Sequence, residues 1–123
     1  MQLDDEQQWT IARLAYWYLQ RGRYEEAESL TRGLLSLNQR NGLAWQYYGQ
    51  ARLKQDDLQE ASRAFEEAAR LLEDRADVWM QFGSTLLKQG RLQDARKALG
   101  EARSHAEDPE LMQRVDALLQ RVG

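Results

Sequence analysis

Apolar side chains recur along this chain at helical spacing. Trp45 and Tyr48, with Arg52 completing the series, and Trp79, Phe82 and Leu86 fall at i, i+3, i+7, which places one inward stripe on each of two helices. Leu111, Val115, Leu118 and Val122 follow at i, i+4, i+7, i+11. They come after Asp108-Pro109-Glu110, which reads as an N-cap, a first-turn proline and a first-turn acid. Turn chemistry separates the segments. Gln20-Arg21-Gly22-Arg23 and Lys88-Gln89-Gly90-Arg91 each supply a glycine suited to a left-handed helix end, and Gln55-Asp56-Asp57 supplies aspartate instead. The pattern predicts helices near 5–20, 24–37, 42–54, 58–72, 76–88 and 92–106, each roughly 20 Å long, and a seventh, amphipathic helix after Asp108.

These segments repeat. Ala44-Trp45-Gln46-Tyr47-Tyr48-Gly49 aligns with Val78-Trp79-Met80-Gln81-Phe82-Gly83, the tryptophans and the glycines each 34 residues apart. Leu58-Gln59-Glu60-Ala61 through Phe65 aligns with Leu92-Gln93-Asp94-Ala95 through Leu99, and Tyr24-Glu25-Glu26-Ala27 precedes both, so Ala27, Ala61 and Ala95 share the period. A glycine inside a helix costs about 1 kcal/mol relative to alanine. Gly49 and Gly83 therefore predict that another helix comes too close for a side chain, with the alanines as the opposing small residues.

The period and its landmarks resemble the tetratricopeptide repeat, whose pattern sets Trp, Gly and Tyr on one helix and Ala, Phe, Ala on the next. The resemblance covers windows 8–41, 42–75 and 76–109. It implies an all-α fold: three helix-turn-helix repeats in a right-handed superhelix, with residues 109–122 as a C-terminal capping helix and 1–123 as one domain. The first window departs most, with Ile11, Ala15 and Thr31 where the others carry Trp, Gly and Phe or Leu. Arg52 holds a place that is usually apolar, so it is expected to snorkel or to pair.

Composition narrows the class. The 42% hydrophobic and 30% charged residues, one proline and a net charge of −3 suit a helical domain and give no basic stripe for a nucleic-acid backbone. No apolar run approaches the roughly 18 residues of a membrane span. The opening Gln2-Leu3-Asp4-Asp5-Glu6 is acidic where a secretory signal is basic and then apolar, so a cytoplasmic protein without membrane insertion is expected. With no cysteine and a lone His105, no metal site, cofactor or nucleophilic triad is predicted, and the glycines never cluster into a phosphate loop. The expectation is a binding protein, not an enzyme.

The family resemblance implies where binding would occur, because the first helices of successive repeats line a concave face. Carried onto this sequence, the lining is Trp9, Ala12, Tyr16, Leu19 and Gln20, then Leu43, Gln46, Tyr47, Gln50, Leu53 and Lys54, then Asp77, Met80, Gln81, Ser84, Leu87 and Lys88. Repeats that clamp the terminal carboxylate of heat-shock chaperones carry Lys, Asn and Arg there. Ala12, Tyr16, Tyr47, Asp77 and Gln81 do not make that clamp. The remaining set, Trp9, Tyr16, Leu19, Leu43, Tyr47, Leu53, Met80 and Leu87, suits a hydrophobic or amphipathic segment of another protein, with Gln46 and Gln50 to bond its backbone. Trp17, out of register with the stripe, marks a second face for a homodimer or a small co-chaperone.

The stretch from Leu19-Gln20-Arg21-Gly22-Arg23-Tyr24 through Leu34-Leu35-Ser36-Leu37-Asn38, with the short array and the apolar groove, is similar to the small tetratricopeptide chaperones of bacterial type III secretion. That similarity implies a protein-transport chaperone holding an aggregation-prone client. A general scaffold that joins folded proteins, or that self-associates, is the alternative.

Overall fold

The structure, a computed structural model, describes residues 2–123. Seven α-helices run in order among them: α1 (Asp5–Gln20), α2 (Tyr24–Leu37), α3 (Gly42–Lys54), α4 (Leu58–Leu71), α5 (Ala76–Lys88), α6 (Leu92–His105) and α7 (Pro109–Val122). Each lies within a residue of its sequence expectation. The local reasons hold as well. Gly22 and Gly90 stop α1 and α5 with φ of +73° and +75°, and Asp56 takes the same left-handed turn after α3 with φ of +64°. At the start of α1, the Asp4 carboxylate accepts the Gln7 backbone N–H at 2.7 Å while the Gln7 side-chain oxygen accepts the Asp4 N–H at 3.0 Å. This capping box satisfies two otherwise orphaned donors. Asp108 caps α7 by accepting the Glu110 N–H at 3.1 Å, ahead of Pro109.

The chain divides into two compact units, one ending at Leu71 and one spanning Leu72–Gly123. In the first, α1, α2 and α3 pack through Ala12, Ala15, Leu19, Ala27, Leu34, Ala44 and Ala51, and α3 pairs with α4. In the second, Leu86, Ala95, Leu99 and Ala102 of the α5/α6 hairpin share one core with Val115 and Val122 of α7. Leu111 and Leu118 pack against that core, so the apolar stripe of α7 is spent inside its own unit.

The helix-interior glycines explain the tight hairpins. A Cβ built on Gly49 would lie 2.8 Å from the Phe65 ring, and one on Gly83 would lie 2.6 Å from Leu99 Cγ. The opposing groups are therefore Phe65 and Leu99 rather than the alanines, although Ala27, Ala61 and Ala95 are all fully buried. In the first repeat the corresponding pair is Ala15 and Thr31, both fully buried. A smaller partner on α2 goes with a larger residue on α1, which conserves volume at the seam. The Thr31 hydroxyl is satisfied within its own helix, donating to the Ala27 and Glu28 carbonyls at 3.1 and 3.0 Å.

The tryptophans carry the repeat into the loops. Trp45 Nε1 donates to the Gln39 carbonyl at 2.8 Å, and Trp79 Nε1 donates to the Glu73 carbonyl at 2.9 Å. Donors and acceptors alike are 34 residues apart, so each indole ties its helix to the turn that precedes it.

Not every helical glycine is a spacer. A Cβ on Gly33 or Gly100 meets nothing within 4 Å. We therefore expect Gly33→Ala and Gly100→Ala to raise stability by up to about 1 kcal/mol. Gly49→Ala should instead lower it by about 1–3 kcal/mol through overpacking, and the loss should shrink in a Phe65→Leu background. Urea unfolding of the single and double variants checks all three expectations.

Candidate functional site

Trp9, Arg13, Tyr16 and Gln20 succeed one another at i, i+4, i+7, i+11 and form one flank of α1. Leu43, Tyr47, Gln50 and Lys54 are their counterparts 34 residues later on α3, in the same unit. The two flanks meet. The Tyr16 and Tyr47 rings lie 5.3 Å apart at an interplanar angle of 33°. Trp9 and Tyr16 are large aromatics left 50% and 41% exposed, whereas Leu43, Tyr47, Gln50 and Leu53 are half-buried. Tyr47 also packs against the core clusters around Leu19 and around Leu34, which holds its ring in place.

The position one step further round each of these helices behaves differently. Ala12, Gln46 and Met80 occupy one position in the three repeats, and all are buried, Gln46 at 3% and Met80 at 7% exposure. Sequence reasoning placed Gln46 and Met80 among the lining residues. Here they lie one step further round the helix and present almost no surface to solvent. Leu19 is also buried, and in the second unit Leu87 packs against the core that contains Met80.

Arg13 is absent from the lining that the family resemblance implies. The 34-residue period makes it the counterpart of Tyr47, and its guanidinium sits 4.8 Å over the Trp9 ring. Trp17 lies on another face of α1 and is 41% exposed, with Arg21 stacked 3.8 Å above it; Leu14, one turn earlier, is exposed too.

Arg52 pairs, as its misfit with the apolar stripe suggested. Its guanidinium bonds Glu28 of α2 at 2.5 Å and also Asp57, the residue before α4. It thereby joins three helices of the first unit, on a side distinct from the aromatic flank. The hydrogen bond from the Arg52 guanidinium holds the Asp57 carboxyl below its ordinary value, helped by the Glu60 backbone N–H that Asp57 accepts at 3.1 Å. Nearby, Arg63 lowers Glu60, and Tyr48, raised by burial first and by Glu60 next, donates to Glu60 at 2.9 Å.

The family described as anaphase-promoting complex, cyclosome, subunit 3 matches residues 20–102, about two thirds of the chain. The chain belongs to that family. It is a tetratricopeptide-like family, in keeping with the three helix hairpins and the glycine seams described above. No curated protein matches the sequence. Among solved structures, the type III secretion chaperone SycD of Yersinia enterocolitica, in complex with a peptide of the translocator YopD, is 22% identical. The match covers 97% of this chain and 94% of that one, with a TM-score of 0.86. PcrH of Pseudomonas aeruginosa, in complex with the chaperone binding region of PopD, is 19% identical over 98% and 93% of the two chains, with a TM-score of 0.87. The first tetratricopeptide domain of Spaghetti (RPAP3), bound to an HSP90 peptide, is 14% identical over 98% of each chain, with a TM-score of 0.83. At these identities the shared property is the fold. No helix among the described residues is long and apolar enough to cross a membrane.

For this tetratricopeptide-like chain the Arg52 network gives a pH test. Because the folded Asp57 carboxyl sits below its ordinary value of 3.8, its contribution is present above that pH and is lost as pH falls through the lowered value. Asp57→Asn keeps a side chain that caps α4 but removes the charge. The variant should be less stable than the parent at pH 7, and the gap should narrow as the pH falls below 3.8. Urea midpoints across that range are the measurement, and a gap independent of pH would show that the ion pair contributes nothing.

Proposed function

We propose that residues 1–123 act as one protein-binding module, a chaperone of the secretion type that keeps a hydrophobic segment of a client protein covered in the cytoplasm. The observation that carries this is the aromatic flank of the first unit. Trp9 and Tyr16 stand half-exposed, Tyr16 against Tyr47, although the core of that unit is already closed by Ala12, Ala15, Leu19 and Ala44. Large apolar groups that the core does not need are surface for a partner. Trp9, Tyr16, Leu43, Tyr47, Gln50 and Leu53 would touch the client, and Leu19 and Gln46 would support them from beneath. In the second unit Met80 and Leu87 hold the equivalent repeat positions.

The structural relatives lend support, since SycD is seen with a peptide of the translocator YopD and PcrH with the chaperone binding region of PopD. The same fold also takes an HSP90 peptide in Spaghetti, so the choice of ligand rests on side chains. The Ala12, Tyr16 and Tyr47 of the first unit lack the cationic triplets that would hold a terminal carboxylate, which favours an internal apolar segment. The exposed Leu14 and Trp17 face supports a second reading, a scaffold that self-associates or takes a small co-chaperone.

The test is a client captured from the native host, identified by mass spectrometry and expressed alone or with this chain. The client should be insoluble alone and soluble in company. Tyr47→Ala should weaken binding by about 2 kcal/mol if this ring is an anchor. Trp9→Ala, at an exposed position where folding is not at stake, should weaken binding while leaving thermal unfolding unchanged. A client that is soluble by itself and binds both variants normally would sink the chaperone reading.

A further inference from the structure

The flank of α1 and α3 carries charge of one sign only. Its eight positions hold Trp9, Arg13, Tyr16, Gln20, Leu43, Tyr47, Gln50 and Lys54, two cations and no acid, on a chain whose net charge is −3. Arg13, like Arg21 and Arg40 of the same unit, forms no ion pair among the described residues, whereas Arg23, Arg32, Arg52, Arg63 and Arg70 all do; of the three, Arg13 is the one on this flank. The nearest acid on this side of α1, Glu6, is two helical turns away, about 10 Å along the axis. Arg13 lies instead over the Trp9 ring. With no acid bound to it, this guanidinium keeps its N–H donors available, and those donors match a carboxylate in bidentate fashion.

Resting on the groove reading above, we infer that Arg13 is a specificity residue. It selects client segments that carry an aspartate or glutamate side chain next to the apolar group seated on Trp9 and Tyr16. The bound segment is therefore an acidic amphipathic stretch. This differs from a terminal-carboxylate clamp, which gathers several cations around two charged oxygens; a single stacked guanidinium reads one internal carboxylate beside an aromatic anchor. Arg13 acts more on choice than on affinity. An exposed ion pair changes binding by no more than about fivefold, whereas reversing its sign penalises the wrong partner as well as losing the right one.

The experiment selects a phage-displayed library of random 12-residue peptides on the full chain, on Arg13→Glu and on Tyr47→Ala. The parent should enrich Leu, Ile, Tyr or Trp with Asp or Glu beside them. Arg13→Glu should still enrich the apolar residues but exchange the acids for Lys or Arg. A selected peptide resynthesised with Gln for Glu should bind the parent about three- to fivefold more weakly at low salt and bind Arg13→Glu no worse than the acidic form does. Apolar enrichment without acid preference, or an acid preference unchanged in Arg13→Glu, overturns the role of Arg13 and leaves the groove reading intact. Pools free of apolar enrichment, or unaltered by Tyr47→Ala, overturn both. Thermal unfolding of Arg13→Glu, a substitution at an exposed helical position, should match the parent.

Discussion

The close approach of paired helices is the constraint on which the rest of this protein depends. At Gly49 the Phe65 ring, and at Gly83 the Leu99 side chain, occupy the space where a Cβ would stand. Each glycine costs its helix about 1 kcal/mol, and burying a phenylalanine or leucine returns about 1.5–3 kcal/mol, so the exchange favours the hairpin. One large residue inserted into a notch on the facing helix also fixes rotation, because only one side of α3 or α5 offers the notch. Once that rotation is set, the tryptophan indoles reach the preceding turns, and the flank of α3 that carries Tyr47 can no longer turn inward.

Fixing the core with small residues leaves the large ones available. The first unit closes mainly on alanines, with Leu19, Leu34 and Phe65 as the bulky members. Tyr48 is buried as well, and the remaining aromatics are only partly covered. Tyr48 is held by Glu60, Trp45 by the Gln39 carbonyl, and Tyr16 by Tyr47. The charged network follows a similar logic: Arg52 interrupts an apolar stripe, and its cost is offset because Glu28 and Asp57 meet it from two other helices.

How much of this was legible in the sequence depended on range. Helix ends and turns were, down to Asp56 taking the place of a glycine, because they are decided within a few residues. The repeat carried the seam as well, but not the partner: the period points to Ala61 and Ala95, while the space beside the glycines is filled by Phe65 and Leu99. Depth was the weakest signal. Periodicity assigns Gln46 and Met80 to a face, yet how far a neighbour covers that face is a property of the fold, and both prove buried. Arg52 announced only that it needed a partner; Glu28, 24 residues away, could not be chosen from spacing.

The relatives in structure hold quite different peptides on one scaffold, so the scaffold explains only that a flank exists. What this chain does with it must come from the side chains that are not engaged in folding. Trp9 and Tyr16 could be removed without opening the core, and Arg13 could lose its charge without stranding an acid. Residues so loosely bound to stability, yet costly in exposed apolar area, are best explained by a partner that covers them. On the proposed reading their chemistry describes that partner: apolar to match the rings, and acidic beside Trp9, where the Arg13 guanidinium lies over the ring without an ion pair.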